Sequence, residues 1–353
     1  MIKDRVGQMF MIGFDGCKVS KYLMNIIQHY QIGGVILFSR NINDPIQLAN
    51  LCNDLQSLSP DTPLFLSIDQ EGGRVSRLKE PFTQFPPAGI LGEIFEKELE
   101  EIKKEGKGCT EFSYEKYKAV ELVFNLGGIL ARELRSVGIN MDLAPVLDVN
   151  TNPDNPVIGD RSFSANPYVV STLGNAFIKG LQENGVIATG KHFPGHGSSD
   201  SDSHLGMVDV TQTWEDRELT PYRDLITDGK VDMIMSAHVY QRHLDEDYPA
   251  TLSKKILGDL LRGEMDYGGV IISDDMNMGA IKDHYGFDQA IELALNAGVD
   301  ILLFGNNLHY DKDTAAKVSN LIIRLVNTGK VSNKQINESV HRILSLKRKS
   351  GLL

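Results

Sequence analysis

Short apolar runs alternate along the chain with longer amphipathic segments. Eight runs read as strands: Gln8–Phe14, Gly34–Phe38, Leu64–Ile68, Asn140–Asp148, Val186–His192, Asp232–His238, Gly269–Ser273 and Asp300–Phe304. Most are almost continuously apolar, the pattern of parallel strands covered on both faces rather than the alternation of a half-exposed sheet. Between them Ser20–Tyr30, Pro45–Leu58, Tyr117–Val137, Pro167–Asn184, Thr220–Asp228, Ser253–Glu264, Phe287–Ala297 and Thr314–Thr328 carry apolar residues at three- and four-residue spacings and read as helices. Gly138, Gly185, Gly229 and Gly298 stand just before a strand, where a helix is expected to end.

Eight strand–helix units in series predict an α/β fold, a single-domain (β/α)8 TIM-type barrel. A doubly wound open sheet is the alternative. The count of eight and the lack of a GxGxxG turn after the first strand count against it. A Lys/Arg-rich helix over about 333–350 closes the chain, and no Pro/Ser-rich linker or long repeat divides 1–353, so one domain is expected. The rhythm breaks once, at Glu93–Glu121, whose Glu/Lys run reads as a charged, solvated helical insert.

In such a barrel, sites form at the C-terminal ends of the strands. Strand 2 ends in Ser39-Arg40-Asn41, strand 3 in Asp69-Gln70-Glu71-Gly72-Gly73-Arg74, and strand 4 at Asp148 with Asp160-Arg161 in its loop. Strand 5 ends in Lys191-His192, strand 6 in His238, strand 7 in Ser273-Asp274-Asp275 and strand 8 in Gly305-Asn306-Asn307. Seven of eight strands thus deliver polar groups at one end, which predicts a pocket rich in Asp, Arg, Lys, His and Asn. Carboxylates accept from sugar hydroxyls, and Lys and Arg donate to ring substituents, so a polyhydroxylated ligand suits it.

Composition narrows the class further. Hydrophobic content of 41% and charged content of 24% describe a globular chain, and a net charge of −11 without a basic run makes nucleic acid or an anionic membrane a poor partner. No window approaches a membrane span, and no signal-peptide pattern opens the chain, so a cytoplasmic protein is expected. Cys17, Cys52 and Cys109 are far apart and form no CxxC pair, which leaves neither a disulfide nor a zinc framework.

The densest chemistry lies at 190–204, Gly-Lys-His-Phe-Pro-Gly-His-Gly-Ser-Ser-Asp-Ser-Asp-Ser-His, which holds three of the nine histidines. Glycine and proline make it a strand end followed by a loop with little side chain to anchor it, hence a mobile one. Lys191–Gly197 followed by Asp202-Ser203-His204 resembles the signature of bacterial β-N-acetylglucosaminidases of glycoside hydrolase family 3, the NagZ type. Asp69-Gln-Glu-Gly-Gly-Arg74, Gly138–Asp148, Asp160-Arg-Ser-Phe163 and Ile272-Ser-Asp-Asp-Met276 resemble further segments of that family in its own order. The resemblance covers nearly the whole chain. The charged insert at 93–121 departs from the compact members.

The resemblance implies a retaining exo-glycosidase without a cofactor or metal. Asp274 would be the nucleophile, and His204, paired with Asp202, the general acid/base. Asp69, Arg161, Lys191 and His192 would hold the sugar, with Arg74 and His238 as weaker candidates. Asp275 is expected to be structural, and His196 to make a loop hydrogen bond rather than act in catalysis. Histidine suits the acid/base role because its intrinsic pKa of about 6.5 lies near working pH. Muropeptide or other cell-wall fragments are the implied substrate, and a monomer or weak homo-oligomer the implied assembly. The same residues leave open a phosphorylase, since histidine would not repel phosphate, a β-glucosidase, and a non-catalytic sugar-binding module. A metal-dependent hydrolase using His192, His238 and Asp274 is disfavoured because strand 1 carries no histidine.

Overall fold

The computed structural model describes residues 2–104, 117–201, 206–307 and 310–353. Eight parallel strands close into a barrel: β1 (Phe10–Gly13), β2 (Gly34–Leu37), β3 (Phe65–Ile68), β4 (Met141–Asp142), β5 (Ile187–Phe193), β6 (Met233–Ser236), β7 (Val270–Asp275) and β8 (Ile301–Phe304). Each pairs with its sequence neighbours, and Met11 opposite Leu303 joins the first strand to the last. The continuous apolar runs are explained by burial on both faces, with all four residues of β1, β2, β3, β6 and β8 buried.

Helices pack outside: α1 (Ile2–Gly7), α2 (Lys21–Tyr30), α3 (Pro45–Ser57), α4 (Ala88–Lys104), α5 (Lys118–Ser136), α6 (Pro167–Glu183), α7 (Thr220–Thr227), α8 (Gly279–Tyr285), α9 (Phe287–Ala297), α10 (Thr314–Asn327) and α11 (Asn333–Lys349). Side-chain caps start several of them, with Ser20, Asp44, Asn166 and Ser332 accepting from a backbone N–H in the first turn. The four glycines expected at helix ends all have positive φ, between 64° and 108°. Lys254–Glu264 winds as a π-helix, its last turn closed by Met265 N–H to Leu260 O at 2.9 Å.

Three differences from the expected pattern have physical causes. Regular pairing in the fourth strand stops at Asp142, ahead of Pro145, which brings no N–H to the ladder; beyond it the chain stays tied to the fifth strand by single hydrogen bonds and a bridge from Val146 to Lys191. The fifth and seventh strands run on to Phe193 and Asp275, each through a register shift that carries polar residues into the barrel's mouth. The charged insert begins as a continuation of α4, and its part from 105 to 116 lies outside the described residues.

At the opposite end of the barrel, α11 reaches the residues that lead into β1 and begin β3. Its Lys347 is wholly buried and donates to Gln8 Oε1 at 2.7 Å and Gly33 O at 3.1 Å, 4.7 Å above the Phe65 ring. Burial pushes its pKa down to about 7. Asp300, also fully buried, accepts from Arg262 at 2.6 Å, Arg342 at 2.8 Å and the Ile271 N–H at 2.9 Å. No helix among the described residues is long and apolar enough to cross a membrane. Because Asp300 is the one carboxylate paired with both arginines among the described residues, Asp300→Ala is expected to cost about 3–5 kcal/mol in urea unfolding while activity per folded molecule is kept. A loss under about 1 kcal/mol would show that the two arginines do not depend on it.

Candidate active site

The polar strand ends converge on one cavity of about 170 Å³, lined among others by Asp69, Glu71, Arg77, Arg161, Lys191, His192, His196, Asp274, Asp275 and Asn307. Along its lining lies a cluster of five charges. Lys191 Nζ lies 2.8 Å from Asp69 Oδ1 and 2.6 Å from Glu71 Oε1. Arg161, on the short 3-10 turn Gly159–Arg161, grips Glu71 with two hydrogen bonds of 2.8 and 2.9 Å. Arg77 approaches the other oxygen of Asp69 at 3.3 Å.

Burial opposes ionisation of these carboxyls, but the adjacent cations outweigh it. Lys191 and Arg77 hold Asp69 below the usual carboxylate range, and Arg161 and Lys191 hold Glu71 far below it. Burial likewise opposes the charge on Lys191 and Arg161, and the two carboxylates more than offset it, raising both cations above their ordinary values. All four groups are therefore ionised across the neutral range.

A second buried carboxylate orders the fifth strand end. Asp148 Oδ2 meets His192 Nδ1 at 2.7 Å, while its Oδ1 accepts from the backbone N–H groups of His192 (3.1 Å) and His196 (2.8 Å). Burial works to raise Asp148, and His192 and His196 bring it below its ordinary range. A carboxylate can only accept, so Nδ1 of His192 carries the hydrogen and Nε2 is the nitrogen to meet a ligand hydroxyl.

The segment after the fifth strand is not the loosely held loop expected. Every residue from His192 to Ser199 is buried. Asn155 Nδ2 donates to the carbonyls of His196 and Gly197 at 2.9 Å each, and Asn152 Nδ2 to that of Ser199 at 2.9 Å. A Cβ at Gly197 would lie 1.7 Å from the Val149 carbonyl, so only glycine lets the two backbones approach. His196 lines the cavity, its Nδ1 2.6 Å from Ser199 Oγ, and burial pushes its imidazole down to about 4, which leaves it neutral. The anchors are Asn and Asp side chains from the 148–155 loop, which the local sequence of 190–204 does not reveal.

At the end of β7, Asp274 and Asp275 both face the cavity. The Asp275 N–H donates to Asp274 Oδ1 at 2.7 Å, and Asn277 N–H to Asp275 Oδ1 at 3.0 Å, which fixes both carboxyls on the turn. Two candidates fall outside the lining. Arg74 turns away onto the 156–160 turn, donating to Asp160 at 3.0 Å and to the carbonyls of Val157 and Ile158. His238 is buried behind the wall, with Nδ1 2.8 Å from Thr251 Oγ1 and Nε2 donating to Asp275 O at 3.1 Å. Both side chains donate to backbone carbonyls outside the cavity lining. Glu71 was counted among the polar groups after strand 3 but given no role, although it stands two residues from Asp69 and so on the same side of an extended segment. Arg77 was also missed. Asp202 and His204 lie outside the described residues. Among the described residues no group of three or more His, Cys, Asp or Glu is arranged to hold a metal ion.

A parallel eight-stranded barrel whose strand ends build a charged cavity has the place and make-up of an enzyme site. Residues 1–346 match the family model for the glycosyl hydrolase family 3 N terminal domain. A β-hexosaminidase of Tolumonas auensis is 39% identical over 300 residues, covering 84% of this chain and 82% of its own length. The β-N-acetylglucosaminidase of family 3 from Paenibacillus sp. str. FPU-7 superposes with a TM-score of 0.89 at 36% identity, covering all of this chain, which spans 63% of that one. NagZ from Neisseria gonorrhoeae, solved with N-trifluoroacetyl-D-glucosamine, gives 0.74 at 27% identity, covering 98% and 96% of the two chains. The chain belongs to glycoside hydrolase family 3, and by this kinship is a glycoside hydrolase of the β-N-acetylhexosaminidase kind.

The charge cluster makes a testable demand. Asp69 and Glu71 are depressed in the folded state, so the stability they contribute is present above about pH 4 and fades as pH falls. Lys191→Met is expected to cost about 3–5 kcal/mol in urea unfolding at pH 7. The deficit should shrink toward pH 4, where the stranded carboxyls take up protons; a deficit independent of pH would refute the pairing as its cause.

Proposed function

We propose that this hydrolase is a retaining exo-β-N-acetylglucosaminidase that releases terminal β-linked GlcNAc from muropeptide or other cell-wall fragments. The observation that carries the reading is the meeting of Asp69, Arg161, Lys191 and His192 in one cavity with Asp274. The first four present fixed acceptors and donors to ring hydroxyls, and Asp274 supplies a carboxylate on an ordered turn. Arg74 and His238 are reassigned as supports of the 156–160 turn and of the Asp275 backbone.

In the first step Asp274 attacks the anomeric carbon while His204, oriented by Asp202, protonates the departing oxygen. The bond to the leaving group breaks as that to Asp274 forms, giving a glycosyl-enzyme. In the second step neutral His204 takes a proton from water, which displaces the carboxylate with net retention. Asp202 serves both steps by stabilising the imidazolium. The chain acts as one barrel domain, and recycling of small cell-wall saccharides in the cytoplasm is the setting this proposal takes.

Asp274→Asn removes the nucleophile and little volume, so turnover of nitrophenyl GlcNAc should vanish while the unfolding curve is kept; full activity would remove Asp274 from the role. His204→Ala should slow cleavage of an unactivated GlcNAc disaccharide by about 10²–10⁴-fold. The first step with a nitrophenyl leaving group, which needs little protonation, should suffer much less. Equal losses on both substrates would rule out His204 as the acid.

A further inference from the structure

Glu218 takes no part in the reaction above, yet it is wholly buried beside the site. It stands on the 3-10 turn Asp216–Leu219 that leads into α7. Its Oε2 accepts from the Gly197 N–H at 3.2 Å, and its Oε1 from Thr151 Oγ1 at 3.2 Å. A Cβ at Gly195, where φ is +126°, would lie 2.7 Å from Glu218 Oε2 and 2.9 Å from its Cβ. The carboxyl therefore fills the space against the Gly195–Gly197 turn, whose middle residue, His196, faces the cavity.

We propose that Glu218 is a positioning residue: with Thr151, its carboxyl seats the Gly195–Gly197 turn, and so sets where His196 meets the sugar site. The inference rests on this cavity being the site of reaction. Its geometry gives the carboxyl the Thr151 and Ser198 hydroxyls and a backbone N–H to satisfy, and that N–H would otherwise be buried against it. The groups that face it are Asp148 from the loop after β4 and Tyr222 from α7, with His192 and His196 bound to Asp148 behind them. Burial first, then Asp148, pushes Glu218 up to about 7. Ionisation strengthens its hold on the Gly197 N–H, since a charged acceptor makes the stronger hydrogen bond.

The chain's one tryptophan provides a reporter. Trp214 Nε1 donates to Pro194 O at 3.2 Å and lies 3.2 Å from where a Gly195 Cβ would be. Its emission, followed against pH without substrate, should change with a midpoint near the value of about 7 given by the burial of Glu218. Glu218→Gln, which keeps the shape and one acceptor, should abolish that change and retain most of kcat. Glu218→Ala, which leaves the turn unsupported, should lower kcat on nitrophenyl GlcNAc by about 10²-fold with KM altered far less. A midpoint that survives in Glu218→Gln, or an unchanged kcat in Glu218→Ala, would overturn the proposal. Should Asp274→Asn stay active, the site reading fails, while the substrate-free titration still decides the role of Glu218.

Discussion

A lysine ammonium inside a protein demands partners, and the site is arranged around meeting that demand. Lys191 projects from the fifth strand between Asp69, beyond the third, and Glu71 on the hairpin that follows. Glu71 in turn is taken up by Arg161 from the fourth βα loop. Removing any one member leaves an uncompensated buried charge, so the four groups fix one another and, with them, three of the strand ends. The donors and acceptors of this part of the cavity are thus held in fixed positions by one another.

Asp148 does the same for the fifth strand exit with one carboxylate, two backbone N–H groups and an imidazole. Together with Asn152 and Asn155 it converts Pro-Gly-His-Gly from a flexible linker into packed structure. The glycines there are explained less by flexibility than by close approach, since Gly197 meets a carbonyl and Gly195 a carboxyl.

Much of this was legible in the sequence because parallel strands buried on both faces write themselves as apolar runs. The eight runs and the polar residues after seven of them located the mouth of the barrel, and Asp69, Arg161, Lys191, His192 and Asp274 line the cavity there. What the sequence hid depended on contacts far along the chain. Arg74 and Arg161 are both arginines at a strand end or in its loop, and only the path of the 156–160 turn decides that one clamps backbone while the other faces the cavity. His238 looked like a strand-end ligand, but Thr251 and the Asp275 carbonyl occupy its two nitrogens. The order of 192–199 was likewise hidden, because its anchors lie some 40 residues earlier in the chain.

Two buried groups, one at each end of the barrel, tie folding to proton uptake. Glu218 is raised to about 7, so between about 4.5 and 7 the unfolded chain has given up a proton that the folded one keeps, and stability falls as pH rises through that range. Lys347 is lowered to about 7, so between about 7 and 10.4 the unfolded chain holds the extra proton, and stability rises with pH. Neutrality is therefore the most costly pH for the pair, where each sits halfway through its titration. Proton exchange near neutrality is thus lodged in the protein's interior rather than on its surface.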